Sequence, residues 1–179
     1  STYYIVTSKN IFGCYTIDSI LINVFDLPVV TAGPDLSICI GDSVTLNASG
    51  GNYYHWTPAS SLNNFSIPNP VAKPSSNTTY IVTITDNNGC SNSDDVVVNV
   101  FEYPIISLTN DTGMCKGQSI ILTAAGGDQY LWSNGMTTPS ITVNDTASII
   151  YAVTVSKNNC SASDFVIVSV YDIPIANAG

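Results

Sequence analysis

An internal repeat limits what this chain can fold into more than any other feature of its sequence. Five pairs of residues are each separated by 76 positions: Tyr4 and Tyr80, Cys14 and Cys90, Pro28 and Pro104, Cys39 and Cys115, and Trp56 and Trp132. The next round is shorter, with 70 positions both from Cys90 to Cys160 and from Pro104 to Pro174. A period of this length predicts a series of similar structural units.

Each unit is predicted to consist of β-strands. Apolar residues alternate with Thr, Ser or Asn in several segments, and no segment has the periodicity of an amphipathic helix. Examples of the alternating apolar residues are Val44, Leu46 and Ala48; Tyr80, Val82 and Ile84; and Val96, Val98 and Val100. Turn residues separate these segments: Gly50-Gly51 and Gly126-Gly127 predict tight hairpins, and "DNNG" at 86–89 tolerates positive φ. The chain is therefore predicted to be all-β.

The repeat predicts the domain boundaries. Residues 1–30 match only the final hairpin of a unit, residues 31–105 and 106–175 match two complete units, and 176–179 begin another. The last boundary follows from the match between "IPIANAG" at 173–179 and "LPVVTAG" at 27–33. Because an isolated hairpin is marginal in water, we expect the rest of the first domain upstream in the native protein.

The cysteines predict one disulfide in each unit. Cys39 precedes the strand "SVTLNAS" and Cys90 follows the strand "YIVTIT", while Cys115 and Cys160 hold the matching places in the next unit. We therefore predict Cys39–Cys90 and Cys115–Cys160 bonds, with Cys14 unpaired. The alternative is five unpaired buried thiols. Disulfides predict an oxidising compartment, and therefore a secreted or cell-surface protein.

Composition excludes several classes of partner. The chain has 13 acidic residues, four lysines and no arginine, for a net charge of -9. Nucleic acids and anionic membranes both require clustered basic residues, so neither is expected as a partner. No apolar run approaches the roughly 18 residues of a membrane span. The first residues lack the layout of a signal peptide, so we expect a processed chain or a segment of a longer one.

The aromatic residues and the histidine are predicted to be structural. Trp56 and Trp132 each share an alternating face with a tyrosine, which favours core packing over stacking on a sugar. Tyr4, Tyr80 and Tyr151 open the penultimate strand, where a tyrosine corner donates a hydrogen bond back to the chain. His55 alternates outward from Trp56 and has no nucleophile partner, so a catalytic triad is not supported.

The acidic residues near turns are candidate calcium ligands. We considered Asp86, Asp94, Asp95 and Asp172, which lack the spacing of an EF-hand or of a clustered Asp-x-Asp motif. Solvated turn residues are the favoured interpretation. No CxxC motif is present, so neither a zinc site nor a redox centre is expected, and no cofactor is predicted.

Three segments resemble a known family. They are "SICIGDSVTLNASGGNYYHWTP", "NPVAKPSSNTTYIVTITDNNGCS" and "SDDVVVNVFEYP", and the second unit adds "WSNGMTTPSITVNDTASIIYAVTV". They resemble the PKD-like and immunoglobulin-like repeats of giant type IX-secreted surface proteins of Bacteroidota, including gliding-motility adhesins. The resemblance implies a β-sandwich of about seven strands with its cysteine pair bridged, and no catalytic residues.

The resemblance also suggests candidate glycosylation sites. "DSI" at 18–20, "DSV" at 42–44 and "DTA" at 145–147 resemble the Asp-Ser/Thr-apolar motif of O-glycosylation in Bacteroidota. The acceptors would be Ser19, Ser43 and Thr146.

These observations predict tandem immunoglobulin-like or PKD-like sandwiches in an elongated array, acting as a rigid spacer in an extracellular adhesin or filament. We expect no enzymatic activity. The joints "FDLPVV", "FEYPII" and "YDIPIA" contain proline and no Gly/Ser run, which favours stiffness. Expected partners are neighbouring repeats, with surface polysaccharide or lateral self-association as further candidates. The alternative function is an accessory glycan-binding module of a secreted polysaccharide-degrading enzyme.

Overall fold

The computed structural model describes residues 1–177, and this part of the chain contains 15 β-strands and no helix. The all-β prediction is confirmed. Strands β1 (Thr2–Lys9) and β2 (Tyr15–Ile22) precede the first complete repeat. That repeat contains β3 (Leu36–Cys39), β4 (Val44–Thr45), β5 (Tyr53–Thr57), β6 (Val71–Ala72), β7 (Thr78–Thr85) and β8 (Ser91–Phe101). The second contains β9 (Ser107–Leu108), β10 (Thr112–Cys115), β11 (Ile120–Ala125), β12 (Gln129–Trp132), β13 (Ser140–Val143), β14 (Ile149–Lys157) and β15 (Cys160–Tyr171).

The chain divides into two compact units whose boundaries differ from those of the predicted repeats. The first unit contains Ser1–Leu36, Ser43–Lys73 and Thr79–Val97. The second contains Ser37–Asp42, Pro74–Thr78 and the described residues from Val98 to Asn177. The second unit therefore includes the end of β3 and the end of β8 from the first repeat. Residues 178 and 179, which complete the predicted start of another repeat, lie outside the described residues.

The second repeat forms a sandwich of seven strands. One sheet has the order β10-β15-β14-β12 and the other has the order β13-β11-β9. Strands β14 and β15 are antiparallel, whereas β10 runs parallel to β15, with Cys115 opposite Tyr171. Alternate residues of these strands fill the core, among them Leu122, Trp132, Val153, Val155, Val166 and Val168, each at most 1% exposed.

The first repeat has a matching pair of sheets. One has the order β3-β8-β7-β5, and the other consists of β4 and β6, with an isolated bridge between Thr31 and Ser49 beside them. Seven of the nine apolar residues predicted from alternation are buried: Leu46, Tyr80, Val82, Ile84, Val96 and Val98 are 0% exposed and Ala48 is 8% exposed, whereas Val44 and Val100 are half-buried. The period of two in the sequence therefore identified the core face of each strand.

The hairpin of β1 and β2 has apolar residues that remain exposed. The two strands pair from Thr2 opposite Ile22 to Lys9 opposite Tyr15, and every residue in them is exposed. Tyr4 and Val6 are 57% and 65% exposed, whereas Tyr80 and Val82, which lie 76 positions later, are completely buried. This hairpin thus presents to solvent a face with the composition of a sandwich core.

The paired glycines connect sheets rather than strands of one hairpin. Gly126 and Gly127 take the chain from β11 in one sheet to β12 in the other, so the tight-hairpin prediction is wrong at this position. A Cβ on Gly126, where φ is +120°, would lie 2.1 Å from the carbonyl oxygen of Ile105. A Cβ on Gly50 would lie 2.2 Å from the carbonyl oxygen of Val29 in the same way. Glycine is therefore required where the connection between the two sheets passes the joint that leads into the repeat.

The buried tryptophan gives the first prediction. Trp132→Ala should lower the free energy of unfolding by about 3–5 kcal/mol, because it empties a large site in a close-packed core. The neighbouring Leu131 is 55% exposed on the other face of β12, so Leu131→Ala is a matched control that should change stability little. Chemical denaturation of both variants measures the difference. Equal costs for the two variants would contradict a core role for Trp132.

Candidate functional site

The cysteines pair differently from the prediction. Cys39 is bonded to Cys160, with 5.6 Å between their Cα atoms, and the two residues are 121 positions apart. Both belong to the second compact unit. Cys14 and Cys115 are exposed free thiols, and Cys90 is a half-buried one. The predicted Cys39–Cys90 and Cys115–Cys160 bonds are therefore replaced by one bond between cysteines of different repeats.

Strand register explains why the predicted Cys115–Cys160 bond cannot form. Cys115 lies opposite Tyr171, at the end of β15, while Cys160 is the first residue of that strand. A strand of 12 residues separates its two ends by about 36 Å at roughly 3.3 Å per residue. A disulfide requires Cα atoms within about 7 Å. The two cysteines of this repeat therefore lie at opposite ends of the sheet.

The first repeat has the same arrangement. Ile40, directly after Cys39, donates its N–H to the carbonyl oxygen of Phe101 at 2.8 Å, at the end of β8. Cys90 directly precedes the start of that strand, which is 11 residues long. The equivalent bond in the second repeat runs from the N–H of Lys116 to the carbonyl oxygen of Tyr171 at 2.9 Å. Cysteine spacing predicts how many cysteines each repeat contains, but not how they are connected.

A tight turn positions Cys160 for its bond. Asn158 and Asn159 connect β14 to β15 with φ values of 51° and 64°, a conformation that asparagine tolerates better than most residues. Cys160 is 1% exposed, and its sulfur lies 3.8 Å from the carbonyl oxygen of Phe101. In the chain-entropy model, a disulfide between residues 121 positions apart stabilises the folded state by about 5 kcal/mol.

The tryptophans are core residues, as predicted. Trp56 and Trp132 are 0% and 1% exposed. Their indole N–H groups donate to the carbonyl oxygens of Ile67 at 3.0 Å and Thr138 at 2.9 Å, so burial leaves neither polar atom unpaired. Neither ring is available for a sugar.

The tyrosines at the penultimate strand bond to side chains rather than to the backbone. The hydroxyl of Tyr80 hydrogen-bonds the hydroxyl of Ser61, and the hydroxyl of Tyr151 donates to Oδ2 of Asp145 at 2.7 Å. Tyr4 lies exposed in the first hairpin. Burial, followed by the hydrogen bond and the charge of Asp145, raises the pKa of Tyr151 to about 12. The tyrosine-corner prediction is thus wrong about the partner.

The tyrosines that bond to the backbone are Tyr54 and Tyr130, which lie two residues before Trp56 and Trp132 on the same face. The hydroxyls of Tyr54 and Tyr130 donate to the carbonyl oxygens of Gly51 at 3.1 Å and Gly127 at 2.9 Å. Each bond reaches back three residues to the glycine pair. The spacing Gly-Gly-x-x-Tyr was the signal that would have identified this contact.

Three of the four candidate calcium ligands, Asp86, Asp94 and Asp172, have separate structural contacts. Oδ1 of Asp86 accepts from the N–H groups of Asn88 and Cys90, and Oδ2 of Asp94 accepts from the N–H of Ala32 at 2.9 Å. Asp172 lies 3.7 Å from Nζ of Lys116. Residues 1–177 contain no group of three or more His, Cys, Asp or Glu side chains that could hold a metal ion.

Two aspartates that sequence reasoning missed lie directly before β3 and β10 and bond to the last strand of each sandwich. Oδ1 of Asp35 accepts from the N–H of Val97 at 2.9 Å, and Oδ1 of Asp111 accepts from the N–H of Ile167 at 2.9 Å. Their shared offset of 76 positions was the available signal.

The remaining candidates are on the surface. His55 is exposed, and its ring makes an edge contact with Phe65 at a centroid distance of 5.4 Å. Ser19, Ser43 and Thr146 are also exposed, and O-glycosylation at these residues stays a prediction. Within residues 1–177, no helix is long and apolar enough to cross a membrane.

Solved structures of other proteins share this fold. Extracellular domains 3–5 of Drosophila OTK match with a TM-score of 0.55 and 9% identity, over 94% of this chain and 70% of that one. The I-band fragment I67–I69 of titin, a three-immunoglobulin-domain structure, matches with a TM-score of 0.51 and 13% identity, over 83% of this chain and 67% of that one. No protein-family model and no curated protein matches the chain. These likenesses show the fold alone: tandem immunoglobulin-like sandwiches.

The disulfide gives a second prediction. Digestion of the oxidised chain without reduction should release one peptide pair joined through Cys39 and Cys160, with thiols at the other three cysteines. Cys160→Ser should remove that pair and lower the melting temperature, whereas Cys14→Ser, at an exposed free thiol, should do neither. Recovery of Cys39–Cys90 and Cys115–Cys160 peptides would contradict the structure and restore the pairing predicted from spacing.

Tyr151 gives a third prediction. Its pKa is raised from 10.0 to about 12, so the folded state retains the phenol proton at a pH where the unfolded state has released it. The resulting stabilisation is fully present below pH 10 and is lost as the pH rises towards about 12. Denaturation between pH 9 and about 12 should therefore show a fall in stability that is shallower in Tyr151→Phe. Tyr171→Phe, at an exposed residue, is the matched control, and identical slopes in all three proteins would contradict the assignment.

Proposed function

We propose that this chain is a segment of an extracellular stalk, built from immunoglobulin-like repeats that act as a stiff spacer within a larger surface protein. The proposed domains are the final hairpin of a sandwich at 1–30, complete repeats at 31–105 and 106–175, and the beginning of another at 176–179. The two complete repeats support these boundaries, because the sheet β3-β8-β7-β5 of the first has the same strand order as the sheet β10-β15-β14-β12 of the second, and equivalent residues such as Trp56 and Trp132 are buried in both.

The observation that carries this proposal is the packing of the joint between repeats. Pro104 is buried, although a flexible linker would leave it in solvent. The carbonyl oxygen of the following residue, Ile105, lies so close to Gly126 that no side chain fits between them. A joint held by backbone contacts and by the fixed φ of proline resists bending. Stiffness of this kind suits a spacer better than it suits a flexible tether.

The disulfide and the charge support an extracellular setting. A bond between residues 121 positions apart persists in an oxidising compartment. The net charge of -9 keeps neighbouring stalks soluble by mutual repulsion. Within the described residues, no polar or charged side chain is buried, which favours a structural role over catalysis.

The finer assignment rests on the sequence resemblance. We place the parent protein among the giant type IX-secreted surface proteins of Bacteroidota, with gliding-motility adhesins as the nearest kind. Neighbouring repeats are the proposed partners, and Ser19, Ser43 and Thr146 are the proposed glycan acceptors. Their exposure is compatible with that modification.

A second candidate function is glycan binding by the repeats themselves. The observation that favours it is an exposed aromatic group: Tyr53 and Phe65 are 68% and 43% exposed, and both lie near His55 in the first repeat. Exposed aromatic faces can stack on sugar rings. Sedimentation of the chain with insoluble polysaccharides tests this role, and loss of binding in Tyr53→Ala would establish it.

The stalk proposal gives the fourth prediction. Chains lengthened by one, two and four further copies of residues 106–175 should show a maximum dimension that rises linearly in small-angle scattering. Each copy should add about 36 Å, the length of a strand of 12 residues. Replacement of residues 102–105, and of residues 172–175 at each added joint, with Gly and Ser is the matched control and should abolish linearity. Compact particles from the unaltered chains would contradict the stalk.

A further inference from the structure

We propose that the Cys39–Cys160 bond is one rung of a disulfide ladder, in which each repeat is bonded to the repeat that follows it. The strand-end cysteine, Cys39 or Cys115, is the last residue of β3 or β10. The hairpin cysteine, Cys14, Cys90 or Cys160, begins the last strand or directly precedes it. Cys115 is then the docking and crosslinking site for a following repeat of the same kind. This inference rests on the proposed function as an array.

The two strand-end cysteines have the same backbone setting. After Cys39, the N–H of Asp42 donates to the carbonyl oxygen of Cys39 at 2.9 Å; after Cys115, the N–H of Gln118 donates to that of Cys115 at 3.0 Å. Each cysteine also lies beside the last aromatic residue of the final strand, through the matching backbone bonds described above. The backbone around Cys115 therefore makes the same hydrogen bonds as the backbone around Cys39.

Burial differs between the two ends as the ladder requires. At the end of the first complete repeat, which the second repeat follows, Cys39 and Phe101 are half-buried and Pro104 is buried. The corresponding residues of the second repeat, Cys115, Tyr171 and Pro174, are all exposed. Tyr171, opposite Cys115, is 62% exposed, and Ile173, two residues later in the chain, is 65% exposed, so this end of the repeat has exposed apolar side chains. A following repeat would bury this end of the second repeat, as the equivalent end of the first repeat is partly buried in the structure.

The free thiols are the ones that a ladder leaves unpaired. If each strand-end cysteine bonds the hairpin cysteine of the next repeat, Cys115 needs a later repeat, while Cys90 and Cys14 need earlier strand-end cysteines. These three are the free cysteines of the structure. Pairing inside each repeat would instead leave Cys14 alone. One rule therefore accounts for all five cysteines.

Formation of each rung requires a two-electron oxidant, for which a small-molecule disulfide such as oxidised glutathione suffices. The Cys115 thiolate attacks one sulfur of that disulfide and displaces one glutathione thiolate, which gives a mixed disulfide. The thiolate of the incoming hairpin cysteine then attacks the Cys115 sulfur and displaces the second glutathione. The two protein thiols lose two protons and two electrons, and glutathione disulfide becomes two thiols.

The ladder would limit how far the array extends under tension. Each rung ends at a hairpin cysteine. From there the chain runs only 25 positions to the next strand-end cysteine, where another rung begins, as from Cys90 to Cys115. Two repeats with spacings of 76 and 70 positions would extend to about 500 Å if unfolded without crosslinks. With the ladder intact, the shortest covalent path across them is one rung and about 90 Å of chain. Two unfolded repeats would therefore extend to about 90 Å, which is close to their folded length, rather than to about 500 Å.

The test is a chain lengthened by one repeat. Residues 106–179 are added after residue 175, which restores the Pro-Ile-Ile joint of residues 104–106, and the product is oxidised with glutathione disulfide. Peptide mapping without reduction should find Cys39–Cys160 and a second bond from the original Cys115 to the added copy of Cys160. Three of the seven cysteines should then react with a thiol reagent.

Variants separate the ladder from incidental oxidation. Cys115→Ser should remove only the second bond and raise the number of reactive thiols from three to four. Cys14→Ser, the matched control, should keep both bonds and leave two reactive thiols. Melting curves that match for the three proteins after reduction would show that each one folds.

A reactive thiol at the original Cys115, or its bond to any cysteine other than the added Cys160, would overturn the ladder. That result would leave the stalk intact if the scattering series remains linear. Conversely, compact particles that retain both bonds would contradict the stalk and leave the pairing rule standing.

Discussion

The pairing of the strand that ends in Cys39 or Cys115, β3 or β10, with the last strand of its sandwich is the contact on which the other features depend. It places the end of β10 beside Tyr171, where the chain leaves the repeat, and the equivalent contact places Ile40 beside Phe101. The strand-end cysteine therefore lies at the exit of its repeat, while the hairpin cysteine lies a full strand away. A bond within a repeat is excluded by distance, and a bond between repeats becomes available.

The same pairing is held by side chains as well as by the sheet. Asp35 and Asp111 each accept a hydrogen bond from the backbone of the last strand, just before the parallel pairing begins. A carboxylate that accepts from a backbone N–H makes a charge-assisted bond, which is stronger than a neutral one. Part of the chain's negative charge thus contributes to the sandwich itself, in addition to solubility.

The glycine pairs and the joints depend on each other. Gly126 leaves room for the carbonyl group of Ile105, and the hydroxyl of Tyr130 bonds the adjacent Gly127 from inside the sandwich. The joint is therefore packed against the crossing between sheets and does not extend freely into solvent. This packing, with a disulfide at the same end of the repeat, makes a stiff and covalently linked array a coherent proposal.

The sequence by itself determined the repeat, the all-β class and the core, because alternation and a fixed offset are local or periodic signals. Trp56, Val82 and Val98 were assigned correctly for that reason. Tertiary structure alone decided the disulfide and the partners of Tyr80 and Tyr151, because these depend on which strands become neighbours and in which direction. Cys39 and Cys160 lie 121 positions apart, and no spacing within one repeat indicates that they meet. Connectivity followed from strand register, which the alternating pattern does not specify between distant strands.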